Sequence, residues 1–204
     1  MCIRDRLRLF ELQAEQGFWL SLKWVPSAAN QAADAITRPP MHEILRLRPE
    51  AFQQLERWFG PFTVDLMASS ENAQHGRDPH TGKRRRLTFY SRYNCEGSDG
   101  VDVFQQDVAL TPGQGTPAFG YCFPPPVMVG HIVHHLADCH ARAVVVLPDL
   151  NEYWAPRVTH AAVKELKLPQ TGTFSFPHHR DGVREFVYAR HGMRAVELDF
   201  SVGV

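Results

Sequence analysis

Residues 143–147 read Ala-Val-Val-Val-Leu, with Pro148 after them. Five consecutive apolar positions without alternation describe a strand buried on both faces, as in the centre of a parallel sheet. Residues 127–140 and 154–166 flank it and are expected to be helices. Upstream, residues 118–123 are expected to be extended and meet Pro124-Pro125-Pro126. Before them lie a strand at 62–67 after the Gly60-Pro61 break, a long polar stretch at 68–86 and a short strand at 101–104. Downstream, residues 173–176, 185–189 and 195–200 have strand composition. Short apolar strands interleaved with helices define a wound α/β domain from residue 60 to 204. No internal repeat is present.

The amino-terminal part has a different texture. Residues 7–16 carry a helical apolar pattern from Leu7, Leu9, Phe10 and Leu12. Residues 18–25 alternate, with Leu20, Leu22 and Trp24 on one side and Trp19, Ser21 and Lys23 on the other, the period of a half-buried strand. Pro26-Ser27 ends it, and the alanine-rich residues 28–37 predict a short helix with Ser27 or Asn30 as N-cap. Pro39-Pro40 marks a boundary. Residues 41–59 predict one helix with Ile44, Leu45, Leu47, Phe52, Leu55 and Phe59 on its apolar face, read as a linker helix or the first helix of the next domain. Residues 1–6 resemble translated sequencing adapter and are expected to be a non-native leader.

The chain has 204 residues, 44% apolar and 22% charged, ordinary values for a globular protein. No apolar run of about 18 residues or more occurs, so neither a membrane span nor a secretory signal is expected. Twenty-two basic residues balance 22 acidic ones, which argues against the chain gripping a nucleic-acid backbone unaided. Cys2, Cys95, Cys122 and Cys139 show no paired spacing and are expected to be free thiols in an intracellular protein.

The string Trp24-Val25-Pro26-Ser27-Ala28-Ala29-Asn30-Gln31-Ala32-Ala33-Asp34 resembles the end of the RNase H domain of retroelement polymerases. That resemblance implies residues 7–40 are an RNase H remnant and makes Asp34 the last carboxylate of a two-metal phosphodiesterase site. Magnesium would be bound only in the intact parent domain, because one carboxylate does not hold two metals.

A second ordered set follows: Gly60-Pro61-Phe62-Thr63-Val64-Asp65-Leu66-Met67-Ala68-Ser69-Ser70-Glu71-Asn72-Ala73-Gln74, then Phe89-Tyr90-Ser91-Arg92, Gly100-Val101-Asp102-Val103-Phe104-Gln105-Gln106-Asp107, Phe123-Pro124-Pro125-Pro126, and 144–148 with Trp154 beyond. This set is similar to the segment following RNase H in DIRS-type tyrosine-recombinase retrotransposons, which in turn looks like phage adenine-specific DNA methyltransferases. The resemblance implies a class-I methyltransferase-like, Rossmann-like wound sheet. It implies S-adenosylmethionine as cofactor, with Asp65, Asn72 and Asp102 near its cleft. Such enzymes flip the target adenine and act on it with an Asp/Asn-Pro-Pro-aromatic tetrapeptide. The matching residues are Phe123, Pro124, Pro125 and Pro126. Phe123 offers no acceptor for the exocyclic amine and Pro126 no stacking ring. Loss of these contacts removes about 3 kcal/mol and about 1–3 kcal/mol of stabilisation respectively, so a catalytically degenerate domain is expected. The alternatives are an active or cofactor-binding methyltransferase with an altered loop, and a non-enzymatic scaffold or nucleic-acid-docking module. The expected partners are upstream reverse transcriptase/RNase H segments and nucleic acid within the full polyprotein.

Two further clusters are weaker. His131, His135 and Cys139 share a helical spacing suited to a transition metal, with His134, His140 and His178-His179 as further donors, but one helix offers at most two or three ligands and a polar, partly exposed helix face explains them better. Lys83-Arg84-Arg85-Arg86 suits phosphate contact or a nuclear address, set against a solvated loop.

Overall fold

The computed structural model describes residues 15, 17, 46–78, 81–169, 171, 173–175, 185–186 and 192–201. Residues 1–39 and 40–204 form separate compact units, and the description that follows concerns the second. The helices read at 7–16 and 28–37, the strand at 18–25, Asn30 and Asp34 lie outside the described residues, apart from helical Glu15.

Twelve strands and three α-helices are described. They are β1 (Arg46–Leu47), α1 (Pro49–Phe59), β2 (Val64–Asp65), β3 (His75–Arg77), β4 (Arg84–Arg86), β5 (Thr88–Ser91), β6 (Gly100–Val101), β7 (Phe119–Cys122), α2 (Val129–Asp138), β8 (Arg142–Pro148), α3 (Ala155–Ala161), β9 (Ala162–Leu168), β10 (Phe174–Ser175), β11 (Glu185–Phe186) and β12 (Met193–Asp199). Seven strands form the main sheet in the order β6-β5-β2-β7-β8-β12-β9. The pairs β2·β5, β2·β7, β5·β6 and β7·β8 are parallel. Only β12 is reversed, pairing antiparallel with both β8 and β9. Counted along the chain, the seven strands lie in the order third, second, first, fourth, fifth, seventh, sixth.

Strand β8 is the predicted central strand. Positions 143–147 are all fully buried, and alternate side chains enter opposite cores. Ala143, Val145 and Leu147 pack with Val64, Leu66, Ile132, Val133 and Leu136 beneath α2 and α3. Val144 and Val146 pack with Phe52, Leu55, Phe59, Tyr121 and Phe174 beneath α1. Each valine, leucine or isoleucine side chain among these contributes about 1.5–3 kcal/mol on burial. At the carboxyl end of α2, His140 adopts a left-handed φ of 51°. The N–H groups of His140 and Ala141 cap the Ala137 and Leu136 carbonyls at 3.1 and 2.9 Å, a helix stop usually given to glycine.

Four expectations need correction. The helix over 41–59 starts only at Pro49. Arg48, ahead of that proline, is extended (φ −64°, ψ 148°) because proline disfavours helical backbone before it, and Arg46–Leu47 is a strand paired with β10. Nor is α1 a linker, since Phe52, Leu55 and Phe59 are buried in the domain's second core. The helix over 154–166 stops at Ala161, and residues 162–168 become edge strand β9 because β12, some thirty residues later, supplies its backbone partners. The polar stretch 68–86 is not all loop: β3 and β4 form an antiparallel ribbon carrying Arg84–Arg86.

Candidate functional site

In an open parallel sheet, ligands bind beyond the carboxyl ends of the strands, where the strand order reverses direction. Here the chain runs from β2 outward to β5 and β6, then returns to β7 and continues to β8 on the other side. The reversal therefore lies between β2 and β7. Asp65 ends β2 and pairs in register with Tyr121 of β7, and the Phe123-Pro124-Pro125-Pro126 loop leaves from the same edge.

Asp65, Met67, Asn72, Gln74, Tyr121 and Phe123 converge there with Arg46. Asp65 is 2% exposed. Its Oδ2 accepts the Gln74 backbone N–H at 3.1 Å. Burial lifts the carboxyl from 3.8 to about 7, against the opposing pull of the Gln74 and Met67 N–H groups. Burial also pushes the Tyr121 phenol well up, and the Asp65 charge adds to the effect. The Tyr121 hydroxyl and the Arg46 Nε are both buried without a hydrogen-bond partner. The Gln74 side chain lies beside the phenol and opposes that rise, while its Nε2 donates to the Leu47 carbonyl at 3.2 Å. Asn72 folds its own turn, its Oδ1 accepting the Ser69 N–H at 2.6 Å and the Ser69 hydroxyl at 3.0 Å.

The crevice is narrow. Its free volume is about 10 Å³, enough for about one water molecule, whereas small-molecule sites occupy roughly 300–1,000 Å³. Phe123 packs on Phe174, ring centroids 5.3 Å apart, and Arg46 reaches the Glu71 carbonyl at 3.5 Å. Pro125 spends its carbonyl on the Met128 N–H at 2.8 Å. This volume does not accommodate S-adenosylmethionine.

Of the residues singled out from the sequence, Asp65, Asn72 and Phe123 come together. Asp102 does not join them. It lies beside β6, two strands from β2, where its carboxylate accepts the Phe104 N–H at 3.2 Å and starts a short 3-10 turn from a left-handed φ of 57°. Arg46 carries no site signal in the sequence, and Gln74 closes the motif string after β2 with nothing local to mark it as a core residue.

A larger groove of about 330 Å³ lies along α2 between Phe104 and Tyr153. It holds fewer buried polar groups than the crevice, so the crevice is the better candidate site. On α2, His135 Nε2 lies 3.1 Å from the Gln106 carbonyl, and Cys139 Sγ lies 3.7 Å from the same nitrogen. His134 faces Arg157 at 2.8 Å. Among the described residues, no three His, Cys, Asp or Glu side chains converge as a metal site. His178 and His179 lie outside the described residues. No helix among the described residues is long and apolar enough to cross a membrane.

No family model, curated protein or solved structure matches the chain.

Proposed function

We infer that residues 60–204 belong to the class-I methyltransferase-like proteins and no longer perform methyl transfer. The observation carrying this reading is the strand order. Five parallel strands follow the doubly wound 3-2-1-4-5 order, and the reversed last strand sits between the fifth and sixth, the arrangement of class-I methyltransferase sheets. Further support comes from the Phe123-Pro124-Pro125-Pro126 loop leaving the fourth strand beside Asp65, where the resemblance requires the catalytic tetrapeptide. The side chain entering the crevice is a phenyl ring packed on Phe174 instead of a hydrogen-bond acceptor.

More particularly, the chain is read as part of a DIRS-type retrotransposon polyprotein, on the resemblance of residues 24–34 to the end of an RNase H domain and of 60–154 to the segment that follows it. Its partners would be the neighbouring polymerase and RNase H segments, and its place the interior of the host cell.

Calorimetric titration of S-adenosylmethionine into the folded chain, paired with a labelled-methyl transfer assay on duplex DNA, tests this. The expected outcome is no transfer and no saturable binding. Transfer, or saturable binding weakened by Asp65→Ala, would favour the alternative of a working cofactor site.

A further inference from the structure

The β3–β4 ribbon concentrates charge that the neutral composition conceals. Among residues 75–78 and 81–86, Arg77, Lys83, Arg84, Arg85 and Arg86 face one carboxylate, Asp78. The ribbon therefore carries +4 and the rest of the neutral chain −4. Every residue from Thr81 to Arg86 is exposed, as are His75 and Arg77.

Internal partners account for only part of this charge. Arg84 pairs with Glu56 of α1 at 3.0 Å, and Arg85 with Asp78 at 3.1 Å. Arg86 lies over the Phe89 ring, 5.2 Å from its centroid, and reaches the Gly97 carbonyl at 3.4 Å. Arg77, Lys83 and Arg86 have no carboxylate partner among the described residues. The register sets Arg77 directly opposite Arg84, a like-charge cross-strand pair that destabilises an isolated ribbon.

The ribbon is also held firmly. One Glu56 oxygen accepts the Arg77 backbone N–H at 2.7 Å while the other holds Arg84. A side chain at Gly76 would come within 2.5 Å of Leu87 and 3.0 Å of Glu56, so the ribbon seats flush on α1. Two rigid strands with three uncompensated cations, on an otherwise acidic chain, present one cationic element to a polyanion and repel it elsewhere. A two-stranded ribbon is also an element that the DNA major groove admits.

We propose that the β3–β4 ribbon, through Arg77, Lys83 and Arg86, is a sequence-independent contact for the phosphate backbone of nucleic acid. The inference rests on charge, register and anchoring, and stands whether or not the β2–β7 crevice belongs to a methyltransferase.

The test is fluorescence anisotropy of a labelled duplex DNA of arbitrary sequence with the full chain, between 50 and 200 mM salt. Three neutralised phosphates predict a slope of log affinity against log salt of about −2.7, hence roughly a forty-fold loss across that fourfold range. The double substitution Arg77→Glu/Lys83→Glu should abolish measurable binding without lowering the thermal midpoint, since neither side chain has a carboxylate partner among the described residues and the change relieves the Arg77–Arg84 repulsion. Lys164→Glu/Lys167→Glu on the edge strand β9 should leave binding intact. No salt-dependent binding by the folded wild-type chain, equal loss in the β9 variant, or equally tight binding of polyglutamate would each overturn the proposal.

Discussion

Strand β8 and the β2–β7 crevice are neighbours in one sheet, and they are buried by opposite means. Every interior position of β8 is aliphatic and fills one of the two cores. At the crevice, the fully enclosed positions hold a carboxyl, a phenol and a carboxamide, of which the phenol goes unbonded. An apolar strand gains free energy from enclosure, whereas an enclosed polar group without a partner costs about 1–3 kcal/mol. The first arrangement serves the fold. The second costs stability at the point where a wound sheet binds ligands, the kind of local inconsistency expected where a sequence answers to something besides folding.

The comparison breaks most visibly at Val145. Val145→Asp places an unpaired carboxylate in the apolar strand, at a cost of about 4 kcal/mol or more. The expected result is loss of the cooperative unfolding transition in circular dichroism, and a cooperatively folded variant would mean β8 is not central.

Asp65→Asn sharpens the comparison through pH. The folded carboxyl titrates near 7 and its ordinary value is 3.8, so between those values the folded state keeps a proton that the unfolded state releases. Asp65 therefore costs nothing below about pH 4 and progressively more as pH rises, up to about 4 kcal/mol above pH 7. Denaturant titrations should find the asparagine variant more stable than wild type at pH 8 and nearly equal at pH 4; a difference independent of pH would show that Asp65 is not buried as described.

Tyr121→Phe has the smallest effect. Removing the unbonded hydroxyl while keeping the ring that packs edge-on against Phe52, centroids 5.0 Å apart, should leave stability unchanged or raise it by about 1 kcal/mol. A loss above that in a thermal melt would mean the hydroxyl has a partner after all.

Local patterns revealed the elements whose information is local. The unbroken apolar run at 143–147 needs only itself to announce a doubly buried strand. The apolar spacing of Ile132, Val133 and Leu136 announces α2, and the order of short strands after residue 60 announces a wound sheet. The motif strings contain Asp65, Asn72 and Phe123, which line one crevice because β2 and β7 are paired neighbours in the sheet.

Pairing between distant segments decided the rest. Residues 162–168 become strand because β12 is there to bond them, and Arg46–Leu47 because β10 is. Arg46 enters the crevice through its pairing with β10, and Gln74 through its bonds to the Asp65 carboxylate and the Leu47 carbonyl. Asp102 sits amid a motif string, yet the strand order carries it to the β6 edge. A net charge of zero described the whole chain correctly and its surface poorly. Composition sums charges without regard to position; the sequence already sets Lys83–Arg86 side by side, and the ribbon's register and its seat on Glu56 add Arg77 and hold the group on one exposed element.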